Sequence, residues 1–174
     1  MYLLKFTVGL ILFAVISFAA MCYFSPKFFM KTVYAVVKLK LGDVPEISNA
    51  ALYQLTNNAD LASTEKIVLV DVRTEHEKQV SMIPGAIDRD YFEQYLGDYR
   101  HQQIIVYCTI GYRSGFYTQT LREKGIDAYN LSEGILGWTH LDGPLLDSQQ
   151  EPTKQVHVYS RPWNLGVKDY IAVF

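Results

Sequence analysis

Ile104-Ile105-Val106-Tyr107-Cys108-Thr109-Ile110-Gly111-Tyr112-Arg113-Ser114-Gly115 is the stretch on which the fold turns. Its first four residues form a β-branched apolar run, the signature of a buried strand. A cysteine leaves the end of that strand, a short loop follows, and Ser114 to Lys124 reads as a helix closed by Gly125 at its C-terminal cap. Outward from there the same alternation repeats. Ile67-Val68-Leu69-Val70 is a second β-branched run with Asp71 at its polar end. Pro84-Gly85 breaks the chain before a short strand at Ala86-Ile87, and Ala128 to Leu131 is another. Ser48 is placed to cap a helix over about 49–57, Tyr91 to Leu96 reads as helix, and Gly134 to Trp138 as a helical turn. Fully apolar strands alternating with helices predict an α/β domain whose parallel sheet is covered on both faces.

Gly42-Asp43 followed by Pro45 marks the start of this domain, which we place at 43–147. Residues 148–174 form a C-terminal extension packing on it. Within that extension Gln155 to Tyr159 alternates weakly, as an edge strand does, and Trp163-Asn164-Leu165 is apolar enough to fold the tail back.

The N-terminus differs in kind. Residues 6–26, FTVGLILFAVISFAAMCYFSP, carry no charge. As a helix they would span roughly 30 Å, one hydrocarbon core. The expectation is a membrane anchor over 1–26, a single transmembrane helix. A cleaved signal peptide is the alternative, with Lys5 as its positive region and a cut near Ala19 or Ala20. Lys27, Lys31, Lys38 and Lys40 follow the span and only Lys5 precedes it. The positive-inside tendency then places the domain in the cytoplasm. Residues 27–42 read either as a basic amphipathic juxtamembrane helix, with Phe28, Phe29, Val33, Val36 and Val37 on its apolar face, or as the first helix of the domain.

Charge and cysteine usage exclude other classes. Residues 1–42 hold five lysines and no acid, while the rest holds 11 basic and 18 acidic side chains, a net of −7. An acidic domain is a poor nucleic-acid binder, because phosphate neutralisation needs a basic surface. His76, His101, His140 and His157 are scattered and no CxxC is present, so no metal site is expected. Cys22 lies in the apolar run and Cys108 after a strand, which argues against a disulfide between them.

Cys108 is the candidate nucleophile. Ligands in open α/β sheets bind beyond the carboxyl ends of strands. Loop amides at a helix N-terminus converge on an anion and favour a thiolate. Gly111 lets the loop turn without a Cβ clash, and Arg113 adds a permanent charge with a planar donor fork. A buried, inert cysteine is the competing reading.

These segments resemble one known family, the rhodanese-like domains. Asp71-Val72-Arg73 with Glu75 and Glu77 resembles their D-V-R-x-x-x-E opening, and Ile83-Pro84-Gly85-Ala86-Ile87 their I-P-G-A-I turn. Cys108 to Ser114 resembles their C-x-x-G-x-R-S loop, Leu121 to Gly125 and Asn130-Leu131 the following helix and strand, and Glu133 to Trp138 the G-G-I-x-x-W ending. The elements keep the family's order over 44–147. Met82 stands where the family often has histidine, and Ser81 where glycine is common.

The resemblance implies a sulfurtransferase. Cys108 would take the outer sulfur of thiosulfate or a persulfide donor and carry it as a covalent persulfide, with no cofactor. The amides of Thr109, Ile110, Gly111, Tyr112, Arg113 and Ser114 would cradle it. A thiol, cyanide or a partner protein would accept it. Arg113 would hold the donor's anionic group or steady the persulfide. Thr109 would offer its hydroxyl and Tyr112 would line the pocket mouth. Asp71 and Arg73 would support the neighbouring loop as an ion pair. Three alternatives stand beside this: a membrane-tethered binding module with little catalysis, a redox sensor, and a cysteine phosphatase. Related phosphatases use a C-x5-R loop, one residue longer than the spacing from Cys108 to Arg113.

Overall fold

The computed structural model describes residues 2–57 and 67–174. Its centre is a five-stranded, all-parallel sheet of β1 (Glu46–Ile47), β2 (Ile67–Asp71), β3 (Ile87–Asp88), β4 (Gln103–Tyr107) and β5 (Ala128–Leu131). The spatial order is β1-β5-β4-β2-β3, so the two β-branched runs, β2 and β4, lie side by side with Leu69 opposite Ile105.

Period-two alternation divides these strands between two cores. Val68, Val70, Ile104 and Val106 face one layer, where they meet Phe92 of α5 (Arg89–Gln94) and Leu121 of α7 (Tyr112–Glu123). Leu69, Ile105, Tyr107 and Leu131 face the other, against Leu52 of α3 (Asn49–Asn57) and Ile135, Leu136 and Trp138 of α8 (Gly134–Thr139). Both faces are thus covered, as a sheet of fully apolar strands requires.

Two short helices arise from capping signals. Asp88 accepts from the amides of Asp90 and Tyr91, so the helix expected over 91–96 starts earlier, at Arg89, and a separate short helix α6 (Leu96–Tyr99) follows it. Thr74 and Glu77 form a capping box that starts α4 (Glu75–Val80), an element absent from the expectations above.

At the N-terminus α1 (Tyr2–Phe24) is long and apolar enough to cross a membrane, and its candidate span Lys5–Phe24 is not buried by the rest of the chain. Ser25 alone separates it from α2 (Pro26–Leu41), whose N-terminus it caps by accepting from the Phe28 amide at 3.3 Å. The buried stripe of α2 is Met30, Tyr34, Val37 and Leu41, together with Phe29. Val36, expected on the apolar face, is instead exposed, and Tyr34 lies inward because its hydroxyl finds partners there. Phe29 and Met30 join the same core as Trp138, so this helix packs as part of the domain.

The C-terminal extension returns to that core. β6 (Leu145–Leu146) pairs with β7 (Pro152–Thr153), and β8 (Gln155–His157) pairs in parallel with β9 (Ile171–Val173). Val156 and Val158 are fully buried, and Trp163 meets Phe29 of α2 at 6.3 Å between ring centroids.

Candidate active site

Cys108 follows β4 directly and is 1% exposed, at the floor of a cavity of about 590 Å³. The loop Cys108–Gly111 is held by its carbonyls. The amides of Ile135 and Leu136, in the first turn of α8, donate to Cys108 O at 2.9 Å and Thr109 O at 3.2 Å. Gly134 makes this approach possible, because a Cβ there would lie 2.3 Å from Cys108 O. Gly111 takes φ +88°, and its Cβ would meet the Tyr34 ring at 2.8 Å. At the start of α7 the amides of Tyr112, Arg113 and Ser114 precede the first intrahelical bond, made by Gly115 to Gly111 O at 3.2 Å. Helix geometry leaves those amides without intrahelical acceptors beside the cysteine, where they favour negative charge.

Around the sulfur runs a polar network. Ser114 Oγ lies 3.4 Å from Cys108 Sγ and 2.7 Å from Asn130 Oδ1, and its single proton serves one of them at a time. Asn130 Nδ2 donates to Gly111 O at 3.1 Å and to the Tyr34 hydroxyl at 3.3 Å. That hydroxyl donates to Glu46 Oε2 at 2.5 Å, and Glu46 also takes Ser132 Oγ and Lys38 Nζ. Burial pushes the Tyr34 phenol well above its ordinary value, with the Glu46 carboxylate adding to the shift, so it stays protonated as a donor.

Arg113 has a carboxylate partner as well as a place on the cavity wall. Its Nη1 and Nη2 donate to Glu77 Oε2 and Oε1 at 2.8 and 2.6 Å, a bidentate pair. Thr109 Oγ1 donates to Glu77 Oε1 at 2.8 Å and accepts from Arg113 Nη2 at 3.0 Å. Tyr159 of the C-terminal extension stacks over the guanidinium at 5.3 Å. The cation beside Cys108 is therefore paired, and the residue that pairs it had no assigned role in the sequence reading. The T-x-x-E spacing of Thr74 and Glu77 was the available signal, but it marks a helix start and does not reveal a partner 36 residues away.

Glu77 is 1% exposed, and burial alone would raise its carboxyl. The hydrogen bonds from Arg113 and from the Thr74 amide outweigh that and pull it down to about 2. A depressed carboxyl adds stability above its unfolded value that is lost as pH falls through the folded one. Acid titration between its ordinary value of 4.5 and about 2 is thus expected to remove this contribution. Glu77→Gln is expected to lose on the order of 2 kcal/mol at neutral pH and to show a shallower loss of stability through that acid window. Chemical unfolding of both proteins across the window measures this; parallel pH profiles would refute it.

Asp71 and Arg73 form a pair with both side chains 0% exposed. Arg73 Nη2 donates to Asp71 Oδ2 at 2.7 Å and to Ser81 O at 2.5 Å. Burial disfavours the guanidinium charge, but the Asp71 carboxylate more than compensates and holds Arg73 protonated. The pair joins the end of β2 to the turn that begins at Ser81, and Arg73 lies over the Tyr107 ring at 5.6 Å, one residue before Cys108. Ile110, Tyr112, Arg113 and Thr109 line the cavity above the cysteine, whereas Asp71 and Arg73 are buried outside the residues that line it.

The sequence profile of the Rhodanese-like domain matches residues 52–141. The chain belongs to the rhodanese-like family. Among rhodanese-like structures, a thiosulfate sulfurtransferase from Pseudomonas aeruginosa superposes with a TM-score of 0.53 at 25% identity, covering 70% of this chain and 23% of that one. The rhodanese-like domain of an Anabaena protein gives 0.52 at 19% identity, over 59% and 79% of the two chains. A tRNA uridine(34) hydroxylase of Acinetobacter baylyi is 32% identical over 87 residues, which is 44% of this chain and 28% of the hydroxylase. This rhodanese-like chain spans less than a third of the hydroxylase and of the Pseudomonas sulfurtransferase.

Proposed function

We propose that this protein is a sulfurtransferase that carries a sulfane sulfur on Cys108. The supporting observation is the position of that sulfur, at the end of a central strand, on the floor of an open cavity and beside the first amides of α7. Family membership adds the chemistry. Cys108 attacks the terminal sulfur of thiosulfate or a persulfide, and the donor's remainder leaves with the bonding electrons. The amides of Thr109 to Ser114 surround the bound sulfur, and a thiol, cyanide or a protein acceptor removes it. Arg113, already paired with Glu77, acts chiefly by fixing the loop through Thr109 and only secondarily on the donor's charge.

The test is intact-mass analysis of the full-length protein after incubation with thiosulfate and, separately, with a persulfide donor. Gain of one sulfur atom, reversed by cyanide, is expected. No gain from either donor would overturn the reading and favour a binding module.

We propose further that α1 anchors this domain to a membrane with the domain on the cytoplasmic side. Its length, its exposed apolar surface and the four lysines that follow it support this. A topology reporter fused after Phe174 is expected to report the cytoplasm; a signal from the opposite compartment would reverse the orientation.

A further inference from the structure

The cavity above Cys108 is larger and more apolar than an inorganic sulfur anion requires. At about 590 Å³ it falls within the range of sites that bury drug-sized organic molecules, about 300–1,000 Å³. One wall is Val33, Val36 and Val37 of α2, and Tyr159 and Trp163 of the C-terminal extension form another. All five lie outside the residues matched to the family, 52–141. Val36 is 56% exposed there, apolar surface that a ligand would remove from water.

The charges point the same way. Arg113 is neutralised by the bidentate Glu77. On α2 Lys38 is paired with Glu46, whereas Lys40 lines the cavity and takes part in no ion pair among the described residues. One uncompensated cation beside apolar walls suits a monoanion with an apolar body better than a small dianion, whose desolvation would go largely unrepaid.

Building on the sulfur-transfer reading, we propose that the donor for Cys108 is an organic persulfide with an apolar body, R–S–S⁻. The R group lies against the valines of α2 and Trp163, and the terminal sulfur reaches Cys108. In the step, Cys108 sulfur bonds to the terminal sulfur and the donor's S–S bond breaks. The electron pair leaves on R–S⁻, which takes up the proton lost by the Cys108 thiol. The products are R–SH and the Cys108 persulfide, and no external oxidant or reductant is consumed.

The experiment uses the full-length protein in lipid nanodiscs and alkanethiosulfonates with methyl, butyl and octyl chains. These are monoanions with a transferable terminal sulfur and a sulfinate leaving group. The second-order rate of sulfur loading, read by intact mass, is expected to rise about fourfold per added methylene until the wall is covered, with thiosulfate slowest. Val36→Asp is expected to flatten that dependence, and Val36→Ser to weaken it. Bilayer partitioning of the probes is common to all three proteins, so the difference between their slopes isolates the wall. Loading that is equally fast from thiosulfate and every thiosulfonate would overturn this inference and leave sulfur transfer standing. A rise that is identical in wild type and Val36→Asp would overturn the assignment of the wall. No loading from any of these donors, nor from a persulfide donor, would overturn the sulfur-transfer reading itself, and this inference with it.

Discussion

Cys108→Ser is expected to abolish sulfur loading altogether while leaving the fold intact. The exchange is small in volume and the site is buried, so packing changes little. The new hydroxyl also finds Ser114 Oγ, now 3.4 Å from the sulfur, as a partner. The chemistry does not survive. A serine hydroxyl in this site has no adjacent general base, since the polar neighbours are Ser114, Asn130 and an arginine committed to Glu77. Sulfur bonded to oxygen also lacks the exchange chemistry of a persulfide. Intact-mass analysis under the loading conditions checks the first half, and thermal unfolding the second. A cyanide-labile sulfur on Cys108→Ser would remove Cys108 from the mechanism.

Asp71→Ala is expected to cause the largest loss of stability. Both members of the Asp71–Arg73 pair are wholly buried, and removing the carboxylate strands a guanidinium that water does not reach. Breaking such a pair from one side costs about 3–5 kcal/mol, mostly the penalty of the charge left behind. For a chain of this size that corresponds to a fall in melting temperature of roughly 10 °C. Arg73 also ties the strand end to Ser81 O and lies over Tyr107, so the turn before Ile83 and the strand leading to Cys108 should loosen together. A loss below about 1 kcal/mol in denaturant unfolding would show that the pair is dispensable.

Local signals carried most of the fold into the sequence. β2 and β4 announce themselves by β-branched runs, and Gly125, at φ +73°, closes α7 as its position implies. The course of the loop from Cys108 to Ser114 is legible because strand end, glycine and helix start follow one another within a few residues. The site's long-range partners were not. Glu77 reaches Arg113 across 36 residues, and Asn130 reaches the Tyr34 hydroxyl across 96. No periodicity or cap encodes a contact between elements so far apart. Tyr34 in particular does not declare itself as an inward residue of α2, because its ring is apolar and its tip is not; the partly exposed Glu46 and the buried Asn130 give that tip its partners. The walls from α2 and the C-terminal extension are invisible in the sequence for the same reason, since they converge on Cys108 only after the chain has folded.

The junction at Ser25 has a mechanical consequence. Its amide donates back to Met21 O and its carbonyl accepts from Phe29, so a single residue, bonded on both sides, stands between α1 and the helix whose Tyr34 ring packs beside Gly111 of the cysteine loop. With α1 fixed in a bilayer, the domain is mounted like a lamp on a short bracket and has no slack with which to search for partners. On the proposed sulfur-transfer reading, donors and acceptors would then travel to it, and inserting a flexible spacer at Ser25 would widen its reach at the expense of its bearing. By the same logic, a soluble version cut at residue 43 would lack Tyr34 and one side of the pocket, so a faithful one must begin no later than Ser25.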